Sequence, residues 1–348
     1  MSVMKGICRP AMTDVNFEQA LAAANAPLAN GDRNRQVGPG EPRFELYHFA
    51  LSLCSQKVRA CLDEKAACYV AHDINLQMPL LGNYDPDYVR LRLMGAPDRP
   101  LATQYTGRSS VVTEGFDPAV VPTLADLNAQ RVIVDSMAIC RYVDRQIGTG
   151  PPLVPEPLAA SVAEEIGIVD CTPHVALLYG AHPDGDFRPR RLRDNMPGVH
   201  DRKIDKISKA RARVADDPRL AAAFDAKTSK EEAARNFVAT DESMRQAVSE
   251  TVAIVAALEY RLDSDRPFLC GDSYTMADLF WAVSLFRLEW LGASFCWTGG
   301  HHLNDTPRPL VEAYATRLFA RPSFQSAIIH WPDMPRSEFV SHHYAARD

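Results

Sequence analysis

The chain has 348 residues, 46% hydrophobic and 24% charged, which excludes a collagen-like, coiled-coil or wholly disordered polymer. Lys and Arg number 38 against 44 Asp and Glu, and the resulting charge of −6 argues against a nucleic-acid-binding protein, whose affinity rests on neutralising phosphates. No apolar run approaches the ~20 residues of a membrane-spanning helix, so no membrane association is expected.

This length suggests two domains. Residues 1–43 are rich in Ala, Asn, Gly and Pro, with one short helical stretch near Phe17–Ala24, and are expected to form a mobile arm. Phe44-Glu-Leu-Tyr-His-Phe alternates as a strand does, Ser52–Lys65 carries Val58, Cys61 and Leu62 at helical spacing, and Cys68–Ile74 reads as a second strand. A strand, a helix of about a dozen residues and a strand make a βαβ unit with parallel strands. Residues 77–120 hold five prolines and only one helical segment, Asp85–Leu93; so long a loop-rich insertion is expected to be functional. Val121-Pro-Thr-Leu-Ala-Asp and Arg131-Val-Ile-Val then predict a hairpin, and Ser136 opens a helix with Ile139, Cys140 and Val143 on one face. This α/β domain, 44–150, closes at Gly148-Thr-Gly-Pro-Pro. The second, 151–348, is predicted all-α, with helical periodicity over Ala159–Tyr179, about 229–263, Thr275–Leu291 and Arg308–Phe319, and a Pro/Arg-rich break near 183–198.

The eight cysteines show no CxxC pair and no zinc-site spacing, and the histidine pairs 301/302 and 342/343 lack further spaced ligands; no metal is expected. Scattered cysteines and an N-terminus without a secretory apolar run lead us to expect a cytoplasmic protein.

Two segments could carry chemistry. Ser52-Leu-Cys-Ser-Gln-Lys-Val-Arg59 lies where a strand hands over to a helix, so Cys54 would sit by unpaired N–H groups with Lys57 and Arg59 nearby, all favouring thiolate. As plain structure, Cys54 is a core cysteine and Ser52 an N-cap. Val121-Pro122 enters the hairpin where proline leaves a strand without a ladder donor, and the backbone of Val121 is then available to an added strand. Ser136, with helix N–H groups behind it, could take a carboxylate and Asp135 an ammonium; the same pair is also an ordinary helix cap.

Together, a βαβ and a ββα unit with these segments, followed by a helical domain, resemble the glutathione transferase superfamily over about residues 44–322. Thr275-Met-Ala-Asp278 is similar to that family's structural capping box. The resemblance implies a thioredoxin-like N-terminal domain with a C-terminal helical bundle, and glutathione as the reducing co-substrate. Val121 would pair with the glutathione backbone beside a cis-Pro122, Asp135 and Ser136 would hold its γ-glutamyl ammonium and carboxylate, and Ser52 would be the activating hydroxyl. Ser52-Leu-Cys-Ser55 resembles the Ser-x-Cys-Ser pattern of the zeta-like branch, from which Leu53 and Gln56 depart. Pro42-Arg-Phe-Glu-Leu-Tyr-His-Phe, Cys54-Ser-Gln-Lys-Val-Arg, Glu114-Gly-Phe-Asp-Pro and Thr172-Pro-His-Val-Ala-Leu-Leu-Tyr-Gly resemble the bacterial glutathione-dependent reductive dechlorinases of chlorinated hydroquinones. In that group a cysteine at the place of Cys54 is the second thiol.

That likeness implies reductive removal of chloride from a small chlorinated aromatic, a dichlorohydroquinone or dichlorogentisate, by a homodimer. His174, Tyr179, Arg90 and Arg108 are candidate substrate contacts. The alternatives are a conjugating or ether-cleaving transferase, and a non-catalytic interaction protein on the same scaffold.

Overall fold

The computed structural model describes residues 15–29, 31, 33–108, 111–262, 265–332 and 334. Five strands, β1 (Arg35–Val37), β2 (Phe44–His48), β3 (Tyr69–Asp73), β4 (Thr123–Asp126) and β5 (Arg131–Val134), form one sheet in the order β1-β3-β2-β4-β5. β2 and β3 are parallel, as the βαβ pattern requires, and the other three pairings are antiparallel. Alternation along β2 sends Phe44 and Leu46 into one core and Tyr47 into another, so both faces of the sheet are covered.

The helices that cover it are α1 (Phe17–Asn25), α2 (Leu53–Glu64), α3 (Pro86–Met94) and, beyond the short α4 (Val111–Glu114), α5 (Ser136–Gln146). α2 and α5 pack together on the Phe44 face through Val58, Leu62, Ile139 and Val143. α1 and α3 share the Tyr47 face.

Here the expected mobile arm over 1–43 needs correcting. In its described part, Asn16 and Gln19 close a capping box on α1, Ala20 and Ala24 are buried against the α3 side, and β1 adds an edge strand to β3. Small alanines allow the close approach, and Tyr47 Oη fixes the helix end by donating to Asn25 Oδ1 at 2.6 Å. Residues 1–14 lie outside the described residues.

The remainder is helical: α6 (Ala159–Val169), α7 (His174–Tyr179), α8 (Arg190–Asn195), α9 (Val199–Ala212), α10 (Pro218–Val238), α11 (Asp241–Arg261), α12 (Met276–Trp290), α13 (Phe295–Thr298) and α14 (Pro309–Phe319). The single helix expected over 159–179 is two, because Pro173 has no N–H to continue the ladder. α12 is buried from Met276 to Leu288 and packs on both α2 and α6, so one core runs from the sheet into the bundle. Its start is fixed by Asp278, which accepts from the Thr275 N–H (2.7 Å) and hydroxyl (2.8 Å) and from Tyr314 Oη (2.7 Å).

Candidate active site

Where β2 hands over to α2, Ser52 caps the helix by accepting from the Ser55 N–H at 3.3 Å. That leaves the hydroxyl's own proton available to a second acceptor. Cys54 is half-buried in the first turn of α2. Two buried cations, Lys57 and Arg287, are electrostatically coupled to it. The Lys57 ammonium lies 2.6 Å from Asp170 and 4.2 Å above the Phe280 ring. Arg287, from α12, donates to the Leu51 carbonyl just before the cap; burial pushes its guanidinium down to about 10, which still leaves it charged at neutral pH. Arg59, expected beside the thiol, instead turns into the core, where it donates to the carbonyls of Ala50 (3.0 Å) and Ala327 (2.9 Å). Arg287 takes the place expected of Arg59, and nothing in the local sequence around Cys54 signals it.

Ser52 and Cys54 line a cavity of about 810 Å³ together with Val121, Pro122, Asp135 and Ser136. The Val121–Pro122 peptide is cis. Among the described residues, neither the N–H nor the carbonyl of Val121 has a hydrogen-bond partner. Arg92 is buried behind this turn and holds it from below, donating to the Pro122 carbonyl, Thr123 Oγ1 (2.8 Å) and the Asp117 carbonyl (3.1 Å). Asp135 stands at φ +79°, a left-handed value that a non-glycine residue rarely adopts, and caps α5 by accepting from the Ala138 N–H at 3.0 Å. Burial pushes its carboxyl above the usual carboxylate range.

From the helical half, His174, Tyr179 and Arg108 also line the cavity. His174 Nε2 pairs with Ser284 Oγ at 2.9 Å, while burial and the charges of Arg287 and Lys57 hold the imidazole neutral. Arg108 lines the wall but is engaged with Glu250 (3.0 Å) and the Cys171 carbonyl (2.8 Å). Arg90 does not reach the cavity: it is buried in ion pairs with Asp87 and with Asp217 at 3.4 Å, and is corrected here to a structural residue.

At the insertion end, the cavity meets a cluster of charges that sequence reasoning missed. Lys227 binds Asp117 (2.8 Å) and Glu231 (2.9 Å), Lys230 binds Glu114 (2.7 Å), and Glu231 also binds His200 Nδ1 (2.8 Å) and Lys203 (3.4 Å). The i,i+4 spacing of Lys227 and Glu231 was visible in the sequence; that α10 buries them against the insertion was not. Among the described residues, no group of three or more His, Cys, Asp or Glu side chains could hold a metal ion.

The sequence matches the glutathione S-transferase N-terminal domain over residues 51–146 and the C-terminal domain over 232–317. It is 45% identical over 334 residues to the 2,5-dichlorohydroquinone reductive dechlorinase of Sphingobium indicum, covering 93% of this chain and 95% of that one. The chain belongs to the glutathione S-transferase family. A tetrachloro-p-hydroquinone reductive dehalogenase from Sphingobium chlorophenolicum is 25% identical over 82% of this chain and 96% of its own. Among solved structures, beta-etherase LigF from Sphingobium sp. strain SYK-6 aligns with a TM-score of 0.52 at 18% identity, over 82% of this chain and 98% of that one. Glutathione transferase F2 from Populus trichocarpa aligns at 0.51 and 16%, over 82% and 96%. These two show the glutathione transferase fold, with its thioredoxin-like sheet and helical bundle, and nothing finer.

Proposed function

We propose that this chain is a glutathione-dependent reductive dechlorinase of chlorinated hydroquinone-type rings. The observation that carries this is the placement of Cys54 in the wall of the cavity that also presents the unpaired Val121 backbone and the α5 terminus. The extended relatedness to chlorohydroquinone dechlorinases supports the ring class.

A glutathione backbone would pair with Val121, and its γ-glutamyl carboxylate and ammonium would lie at Ser136 and Asp135. The Ser52 hydroxyl would donate to the glutathione thiolate, lowering its basicity. That thiolate adds to the chlorinated carbon, a C–S bond forms, and chloride leaves with the C–Cl electrons. The Cys54 thiolate then attacks the glutathionyl sulfur; the C–S electrons return to the ring, which takes a proton, and Cys54 is left in a mixed disulfide. A second glutathione thiolate reduces that disulfide, so two glutathiones are oxidised per chlorine replaced by hydrogen. We further infer a helical domain over 151–348 that supplies the ring site to a glutathione domain over 44–150, a homodimeric assembly, and a reducing cytoplasmic setting.

The test is anaerobic turnover of 2,5-dichlorohydroquinone and 3,6-dichlorogentisate with excess glutathione, by wild type and Cys54→Ser. Wild type should release chloride and glutathione disulfide in equal amounts, and Cys54→Ser should stop at the glutathionyl thioether. Fully dechlorinated product from Cys54→Ser at the wild-type rate would remove Cys54 from the mechanism, and thioether alone from wild type would make the chain a conjugating transferase.

A further inference from the structure

Among the described residues, five cavity-lining side chains carry a polar atom that is shut from water and has no hydrogen-bond partner: Asn83 Oδ1, Arg92 Nε, His174 Nδ1, Tyr105 Oη and His200 Nε2. Buried polar atoms are almost always satisfied, and of these five the Tyr105 and His200 atoms share the neighbours Tyr179 and Glu231, so this pair calls for an occupant. The imidazole is oriented from behind. Glu231 lies 2.8 Å from Nδ1, and Lys203 and Lys227 hold that carboxyl well below its usual range, so it stays an acceptor. In the tautomer that donates from Nδ1 to Glu231, Nε2 carries the lone pair, and it has no partner among the described residues. Tyr179 stands edge to face against the imidazole at 4.9 Å, and both Tyr105 and His200 border on Tyr179 and Glu231.

We propose that this end of the cavity is the subsite for a ring hydroxyl beside the chlorinated carbon, with His200 as its proton acceptor and Tyr105 as a second contact to the oxygen. The occupant is an aromatic diol: the charges of Lys203, Lys227 and Lys230 are already matched by Asp117, Glu114 and Glu231, so these lysines call for no anion.

The role deepens the dechlorination proposed above and rests on it. His200 takes the hydroxyl proton and returns it to the neighbouring, chlorine-bearing carbon, a 1,3 shift that converts a C–OH with an adjacent ring double bond into a ketone beside an sp³ C–H. Glutathione thiolate displaces chloride from that carbon. When Cys54 later takes the glutathionyl sulfur, the C–S electrons form an enolate whose oxygen is reprotonated from the imidazolium, using the proton released as glutathione ionised. The C–H made in the first shift remains on the ring in place of chlorine.

His200→Gln keeps a neutral hydrogen-bonding side chain but cannot cycle a proton, and kcat should fall on the order of 10²-fold or more, the usual worth of a positioned base. Glutathione binding should be unchanged. The titratable and charged groups gathered around the imidazole and its Glu231 partner are Lys203 on its own helix, Lys227 and Glu231 from α10, Tyr179 from α7, and Tyr84 and Tyr105 from the insertion. The deficit should shrink as pH rises past the ring hydroxyl's own pKa, because the ring then arrives ionised. Tyr105→Phe removes a hydroxyl that bonds none of the described residues, so folding is spared and KM for the ring should rise about tenfold with kcat little changed. Wild-type chloride release is measured first: if it is absent, the dechlorination itself falls and this proposal with it. If wild type releases chloride but His200→Gln matches it, or loses rate equally at every pH, the base assignment alone is overturned. Unaltered kinetics in Tyr105→Phe would remove the second contact.

Discussion

Ser52 does two jobs at once, and they are separable. As N-cap it accepts from the Ser55 N–H; as catalyst its proton would go to the glutathione thiolate. Ser52→Ala should lose about 1 kcal/mol of stability, the ordinary worth of a cap, and in addition about 10² in kcat/KM. Ser52→Asp restores a good cap but sets a carboxylate against a thiolate, so melting temperature should recover while activity does not. Thermal melts and chloride-release kinetics on the two variants decide it, and recovery of activity in Ser52→Asp would leave Ser52 only its structural part. At this scale the sequence showed which side chains begin α2 and α5, because caps are local. It did not show Arg287, Lys203 or His200, which reach the cavity from helices far along the chain, nor that Arg90 and Arg92 are buried, since an arginine's burial depends on partners such as Asp217 or the Pro122 carbonyl.

α7 is the element through which the insertion shapes the site. At only six residues it has little helical stability of its own. The Gly107 carbonyl accepts from the Val175 and Ala176 N–H groups, both at 3.0 Å, and so anchors the turn that carries His174 and Tyr179. Gly107 has φ +77°, and a Cβ there would lie 2.7 Å from the Ala176 Cβ. Gly107→Ala should therefore destabilise by about 2 kcal/mol or more, from backbone strain plus overpacking. It should also raise KM for the ring while leaving glutathione affinity alone; equal KM for the ring in both proteins would uncouple the insertion from the site. Strands β2 to β5 and helices α2, α5 and α14 were readable from their patterns, whereas the single helix read over about 229–263 is broken at Ala239-Thr240 into α10 and α11. α9 was not readable: Val199–Ala212 is crowded with charge and reaches the core through few residues, chiefly Ile207 and Ala210. α1 and β1 were read as an arm for a similar reason, since alanines and a polar edge strand give a weak signal until the surface they cover is known.

Over the whole molecule, neutral histidines set the first response to acid. His48 is fully buried, and its Nδ1 lies 3.2 Å from Arg59 Nη1, a geometry that requires an unprotonated acceptor. Burial first, then Arg59 and Arg35, hold its pKa well below 6.5, and burial with Arg287 and Lys57 does the same to His174. In both cases the unfolded chain binds a proton that the native state refuses, so the stability they contribute is intact above the unfolded value of 6.5 and is lost as pH falls below it. Each should remove about 1.4 kcal/mol per pH unit once pH is well under that value. Asp63, Asp135 and Glu165 act the other way: burial raises their pKa values, so protonation relieves them and offsets part of the loss in mild acid. Asp117 and Glu231 are held low by Lys227, Lys230 and Lys203, and fail only in stronger acid, below the ordinary carboxylate range. Denaturant unfolding at pH 7.5, 6.5 and 5.5 should therefore show stability falling across that window. His48→Asn, which offers Arg59 an acceptor that does not titrate, should be less stable at pH 7.5 yet show a shallower slope. Identical slopes in the two proteins would mean that the buried histidines are not what acid attacks first.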